Sequence, residues 1–461
     1  MAVAAVLAVA VVVTTSSPSE KRFARYNSRD LDEALTCVVA LASLAVVLAC
    51  IQEQPKQAQA AQLVPPKVHA AGVAPASQGQ AHPVFAQSAN AIASGPALVQ
   101  FKAALASLVS GEGTSPVRIL WLGDSHTAGI LWPATFESAL ADAVGSGGPG
   151  HIPLGLAYGR YHGARVSSDD GFDVLPHPPA KRAVEDDGVF GLGGTRVTPR
   201  GKTLGITIKL DSSTSVGTVT GQLLYRYKVP TDKVAVVAEG KRVDITSAGT
   251  TAFPNGVRAQ TFKVNAQAPF EVRVISGNPE LFGVVVENER PGLVVDVLGI
   301  NGARFATPLA WDENTWTSLV RWRNPTLAII AYGTNEVFDL VSPKHYEAEI
   351  EKLIGRIRSA APDVDCMLAG PTDVGRGGEI AEARVHEIDQ MEAQVAEHLG
   401  CAYFSPYRTM GGAQGFDEWL HATPPLAVSD RIHLSGAGYK KLGQAMADSL
   451  KPSAPRQAHR E

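Results

Sequence analysis

A serine hydroxyl, a histidine ring and an aspartate carboxylate can serve as nucleophile, base and orienting acid in acyl transfer. The chain offers them at Ser125, His433 and Asp430. Ser125 stands in Gly123-Asp124-Ser125-His126-Thr127-Ala128-Gly129, where the apolar run Val117–Leu122 meets a turn and a helix-like segment follows. This is the layout of a parallel strand delivering a serine at its carboxyl end. In open α/β sheets, chemistry gathers at that edge. Gly-Asp-Ser alone is a weak signal, because small polar residues fill ordinary turns. The rest of the chain must supply the other parts.

A serine needs a base to take its proton, and His433 is the candidate. Asp430, three residues earlier, can hold the imidazole in one tautomer and stabilise its charged form. Acyl transfer also places negative charge on the former carbonyl oxygen, where a preorganised donor is worth about 3 kcal/mol. The donors assigned are the backbone N–H of Ser125, the backbone N–H of Gly302 and the side-chain amide of Asn335. Each residue has a plainer reading: Asp430 as a cap for the next helix, His433 as a surface histidine, Gly302 as a turn glycine. Gly299 is close enough to be an alternative donor, but the Asn301-Gly302-Ala303 wording selects Gly302. Asp124 is expected to brace the turn through side-chain-to-backbone bonds, and Glu336 to be a structural partner. His126 could contact substrate, but neighbouring residues on a tight turn point differently, so no role is assigned to it. Trp419 either walls the acyl pocket or packs in the core.

Serine, glycine, asparagine and histidine in this order, with an aspartate three residues before the histidine, resemble the SGNH (GDSL-type) hydrolases. The Gly123–Gly129 wording, Gly147-Gly148-Pro149-Gly150, Met410-Gly411-Gly412 followed by Trp419, and Asp430–Tyr439 look like the peptidoglycan O-acetylesterases of that superfamily. The resemblance covers roughly residues 95–160 and 280–452. It implies a serine esterase acting on O-acetylated glycan through an acyl-serine, with no cofactor. Readings kept beside it are another carbohydrate acetylesterase, a lipase, an O-acetyltransferase on the same site, and a non-catalytic wall-binding protein on an esterase fold. Fold and triad do not specify the acyl acceptor.

The elements that must position these residues follow from the hydrophobic pattern. Apolar runs at Val117–Leu122, Leu293–Ile300, Leu327–Tyr332, Val364–Ala369 and Ala402–Ser405 read as parallel strands. Helical spacing covers Pro96–Gly111, Ala128–Val144, His345–Ser359, Ile380–Leu399 and Tyr439–Leu450. The alternation predicts a three-layer αβα fold around a parallel sheet. Between about 160 and 290 short alternating runs, such as Leu204, Ile206, Ile208 and Leu210, predict an inserted β-sandwich. The resembling esterases carry an insert like a carbohydrate-binding module; this one holds no tryptophan. Its two junctions both fall between the first and second strands, which would put them near the catalytic edge.

The expected organisation is therefore a signal or membrane-anchor region at 1–51 and a disordered linker at 52–86. A discontinuous catalytic domain follows at 87–160 and 290–452, with the insert at 161–289 and a tail at 453–461. Basic Lys21, Arg22, Arg25 and Arg29 precede the uncharged run Ala34–Ile51, which predicts export of all that follows. Val47-Leu48-Ala49-Cys50 resembles a lipoprotein processing site. The protein is expected at the periplasm or cell surface, tethered by that segment or by a lipidated Cys50. A net charge of -4 leaves no footprint for nucleic acid. The four cysteines include no Cys-x-x-Cys pair, and no His-Glu-x-x-His occurs, so no metal site is expected. Cys366 and Cys401 lie in apolar runs and read as buried free thiols.

Overall fold

A computed structural model describes residues 98–154, 160–176, 187–201 and 203–450. The expected anchor, linker and tail lie outside these residues. Among the described residues no helix is long and apolar enough to cross a membrane.

Five parallel strands form the central sheet: β1 (Val117–Gly123), β2 (Leu293–Gly299), β3 (Leu327–Ala331), β4 (Asp365–Ala369) and β5 (Ala402–Phe404). Their order is β2-β1-β3-β4-β5. The chain direction across the sheet reverses between β1 and β3, where open α/β sheets place their ligands. Every residue of β3 is buried, as expected for a strand covered on both faces. Alternate residues point to opposite layers. Ile119, Trp121, Ile329 and Met367 pack with α1 (Val99–Val109), α2 (Leu131–Val144) and α6 (Gly436–Leu450). Leu120, Leu122, Ala328, Ile330 and Leu368 pack with α3 (Glu313–Arg323), α4 (Pro343–Ala360) and α5 (Gly378–His398). The three-layer αβα expectation therefore holds. Helix α3 has no counterpart among the expected elements, although Trp316, Leu319 and Val320 form its buried side and Asp312 caps it by accepting from Thr315 N at 2.8 Å.

Between α2 and β2 stand two antiparallel sheets of six and seven strands. Ile206, Ile208 and Val272 from one meet Leu223, Phe262 and Val284 from the other in a common core. Their junctions differ from expectation. Helix α2 carries the chain back across the sheet before the insert begins. Gly147 N then donates to Leu293 O at 2.7 Å, and Ser146 bridges Leu293 at the start of β2. Both junctions thus lie at the edge opposite Ser125. The first helix also docks there: Phe101 N donates to Asp365 Oδ2 at 2.7 Å, at the start of β4.

The insert shares a core with the catalytic layer. Phe190, Leu192 and Phe282 pack in one cluster with Leu298, Trp311 and Trp316, and Trp316 Nε1 donates to Leu192 O at 3.1 Å. A buried ion network reinforces the joint. Arg323 donates from Nε to Asp296 Oδ2 at 2.8 Å and from Nη1 to Glu287 Oε1 at 2.9 Å. Arg118 on β1 grips both Glu287 oxygens at 2.7 and 2.9 Å. Asp296 also accepts from His151 N at 2.8 Å. Burial opposes the charge on Glu287, but the two guanidinium groups bring its carboxyl down to about 2.

Cys366 and Cys401 form a disulfide, which corrects the expectation of free thiols. Strands β4 and β5 run side by side with Met367 opposite Ala402. The residues one position earlier are therefore neighbours, with Cα atoms 4.8 Å apart, inside the range a disulfide spans. Thirty-five residues of sequence separation hide that register.

Asp296 is fully buried and Arg323 nearly so. Removing one partner of such a pair leaves an uncompensated charge in the interior. Asp296→Ala should cost about 3 kcal/mol of unfolding free energy. Urea denaturation of the variant checks this, and a midpoint equal to that of the parent would refute the network's role.

Candidate active site

Strand β1 ends at Gly123, and the chain turns at Asp124 into a single helical turn, Ser125–Ala128. The Asp124 side chain caps this turn, accepting from His126 N at 2.9 Å. Bracing of the turn by Asp124, expected from sequence, is what the structure shows. Ser125 opens the turn, where helical geometry leaves N–H groups without an intrahelical carbonyl.

His433 arrives from the far end of the chain on a loop stitched to itself. Val428 N donates to His433 O at 3.0 Å, Ala427 bridges Leu434, and Gly375 N donates to Arg431 O at 3.0 Å. His433 Nε2 stands 2.9 Å from Ser125 Oγ. Its Nδ1 stands 2.7 Å from Asp430 Oδ2. Asp430 Oδ1 accepts from the backbone N–H of both Ile432 and His433 at 2.9 Å. Asp430 therefore folds its own loop and does not cap α6, where the Ser435 hydroxyl accepts from Gly438 N at 3.2 Å. Burial pushes the Asp430 carboxyl up, but the backbone donors and the imidazole outweigh it and hold the group below the ordinary carboxylate range. It stays ionised against the ring.

Ser125, Gly302, Asn335 and His433 line one cavity of about 680 Å³, walled by Ile130, Leu131, Ile432 and Tyr439. Gly302 holds φ +76°, a conformation glycine adopts at little cost. A Cβ on Gly299 would sit 2.2 Å from Ala128 N. Gly299 thus lets β2 approach the nucleophile's turn and leaves the cavity to Gly302. Asn335 Nδ2 donates to Ala303 O at 3.0 Å, with a longer contact to Asp124 Oδ2 at 3.4 Å.

The flanking residues are buried beneath this layer. Burial, aided by His433, lowers His126 to about 3, so its ring is neutral. Its Nδ1 lies 3.0 Å from the Tyr439 hydroxyl and its Nε2 lies 3.2 Å from Thr372 Oγ1. Glu336 accepts from Phe305 N at 2.9 Å and Gly333 N at 3.1 Å, joining the loops after β2 and β3. Trp419 belongs to the core beneath α6 and does not line the cavity. Sequence reading passed over Arg304. Its guanidinium contacts the Gly302 and Asn335 carbonyls at 3.0 and 3.5 Å. The signal available was its place directly after Asn301-Gly302-Ala303. No group of three or more metal-ligating side chains occurs among the described residues.

Residues 276–441 match the GDSL-like Lipase/Acylhydrolase family. The match takes in Gly302, Asn335, Asp430 and His433, while the inserted sheets separate Ser125 from it. The chain carries a GDSL-like hydrolase domain on an SGNH fold, and it is an ester-hydrolysing enzyme. Among solved structures it is similar to a peptidoglycan O-acetylesterase, at 23% identity and TM-score 0.64, over 78% of this chain and 98% of that one. That share is too large for the catalytic sheet alone, so the likeness extends into the inserted sheets. The lipase/acylhydrolase from Enterococcus faecalis aligns at 21% identity over 35% of this chain and 80% of its own, with TM-score 0.29. An acetylxylan esterase from Geobacillus stearothermophilus aligns at 21% over 35% and 74%, with TM-score 0.28. No curated protein matches the chain in sequence.

Burial raises the Asp124 carboxyl from 3.8 to about 7. Across that window the native chain keeps a proton the unfolded chain has lost, so this group's contribution to stability falls as pH rises from about 4 to about 7 and is level above. Asp124→Asn cannot titrate. Its melting temperature, followed between those limits, should therefore decline less steeply than the parent's; parallel curves would show that Asp124 does not bind the proton.

Proposed function

We propose that the enzyme removes O-acetyl groups from cell-wall glycan, with peptidoglycan as the polymer. The observation that carries the reading is the unbroken Asp430–His433–Ser125 hydrogen-bonded chain at a cavity that Gly302 and Asn335 also line. His433 Nε2 takes the proton as Ser125 Oγ attacks the ester carbonyl, and Asp430 stabilises the imidazolium. The oxyanion is met by the N–H groups of Ser125 and Gly302 and by the Asn335 amide, which exchanges its long contact to Asp124 for the new charge. Collapse breaks the ester bond, and the sugar hydroxyl leaves with the proton from His433. Water then repeats the sequence on the acetyl-serine and releases acetate.

Two features support a glycan ester. The cavity falls in the size range that houses a whole small ligand, so it has room for a sugar ring beside the acetyl group. The architecture shared with the peptidoglycan O-acetylesterase includes the inserted sheets. We also propose export and membrane tethering through residues before about 52. The basic-then-apolar sequence there motivates it, and the Cys366–Cys401 disulfide fits an oxidising compartment.

Ser125→Ala and His433→Ala should each lower kcat/KM on p-nitrophenyl acetate by more than about 1000-fold, because nucleophile and base act as a unit. Asn335→Ala should lower kcat about 100-fold with KM little changed, since the charge it binds exists only in the transition state. Acetate release from O-acetylated peptidoglycan should outpace release from small esters; octanoate esters turning over faster than acetate would move the reading to a lipase. Fractionation of native cells should find the protein with the membranes, and recovery as soluble cytoplasmic protein would contradict tethering.

A further inference from the structure

Two of the oxyanion donors assigned above, Gly302 and Asn335, sit on separate loops, one after β2 and one after β3. Nothing in the chain's covalent path fixes one against the other. Gly302 poses the sharper difficulty. It holds φ +76°, and a Cβ built there would meet nothing within 4 Å. Its own packing therefore does not set its orientation. A neighbour has to hold the peptide so that the N–H aims at the substrate.

We propose that Arg304 is a positioning residue for the oxyanion hole. Its Nη1 donates to the Gly302 carbonyl at 3.0 Å. That bond fixes the carbonyl of a cavity-lining residue whose N–H is assigned as a donor. Its Nη2 approaches the Asn335 carbonyl at 3.5 Å, so one planar group spans both loops. The guanidinium is itself held. Nε and Nη2 each lie 2.8 Å from an oxygen of Asp339, a bidentate pair. Asp339 Oδ2 also accepts from Tyr346 OH on α4 at 3.1 Å. The Tyr346 ring is buried and packs near Phe305. The clamp thus runs from α4 through Asp339 and Arg304 to the backbone carbonyls of both donor residues. Arg304 does not line the cavity; it acts through Gly302 and Asn335. Lysine cannot replace it fully, because a point charge lacks the fork that reaches two carbonyls and a carboxylate together.

The proposal rests on the assignment of Gly302 and Asn335 as oxyanion donors. The test measures kcat, KM and melting temperature on p-nitrophenyl acetate for the full chain. Arg304→Met should lower kcat by about 10- to 100-fold, the penalty for a misplaced catalytic group, with KM within about twofold. Arg304→Lys should recover part of the loss. In an Asn335→Ala background Arg304→Met should cost less than it does alone, because residues acting through one another are not additive. Millimolar guanidinium should raise kcat of Arg304→Ala and leave the parent unchanged. Should Arg304 variants fail to fold, Asp339→Asn loosens the same clamp from its other end and should lower kcat in the same direction. Parental kcat in Arg304→Met, or a loss that is additive with Asn335→Ala and unmoved by guanidinium, overturns the clamp. Parental kcat in Asn335→Ala overturns instead the assignment beneath it.

Discussion

A hydroxyl and an imidazole 308 positions apart in the chain have to stand 2.9 Å from one another. Almost every other feature serves that separation. Helix α2, which follows the serine, and α6, which follows the histidine, lie in the same layer. Trp132 and Phe136 of the first pack in one cluster with Leu442 and Met446 of the second. An apolar helix contact behind the cavity therefore helps to set the reacting pair. The histidine loop adds its own backbone pairing, so that the ring reaches the serine on a stiff mount.

Beneath the site the interior is unusually acidic for its depth. Asp124, Glu336 and Glu392 are all buried, and burial drives each carboxyl upward: Asp124 to about 7, Glu336 to about 8 and Glu392 well above its ordinary range. Protonation removes most of the cost of placing them there. Asp124 and Glu336 accept from backbone N–H groups of the nucleophile turn and the two donor loops. These carboxyls act as internal fasteners, and the ionised partner of the histidine is kept apart on the half-exposed surface loop.

Much of this was legible in the chain. Ser125, His433, Asp430, Gly302 and Asn335 announce themselves by residue type, order and position after apolar runs; the structure lines one cavity with four of them and sets Asp430 behind His433. The strands read well because buried parallel strands are uninterrupted apolar stretches. What escaped is what depends on register and long-range packing. Cys366 and Cys401 become partners only through the alignment of β4 and β5. Arg304 resembles any loop arginine until the carbonyls it touches are located. The insert's contacts with the catalytic layer stay hidden in the sequence because alternation reports which face of a strand is buried and is silent about what lies against it. Phe190, Leu192 and Phe282 bury themselves against the tryptophans of the catalytic layer. Cutting out the insert would thus open the core of the enzyme itself.

The docking of α1 at the start of β4 carries a mechanical meaning. Whatever precedes Leu98 is attached at the edge of the sheet farthest from the serine. The two ends of the insert leave from that same edge, beside Leu293. A pull on the leading segment would enter at Phe101 and spread through the parallel strands. The loops carrying Gly302, Asn335 and His433 lie at the opposite rim, off the line of load. The reacting mouth is thus kept clear of both attachment points.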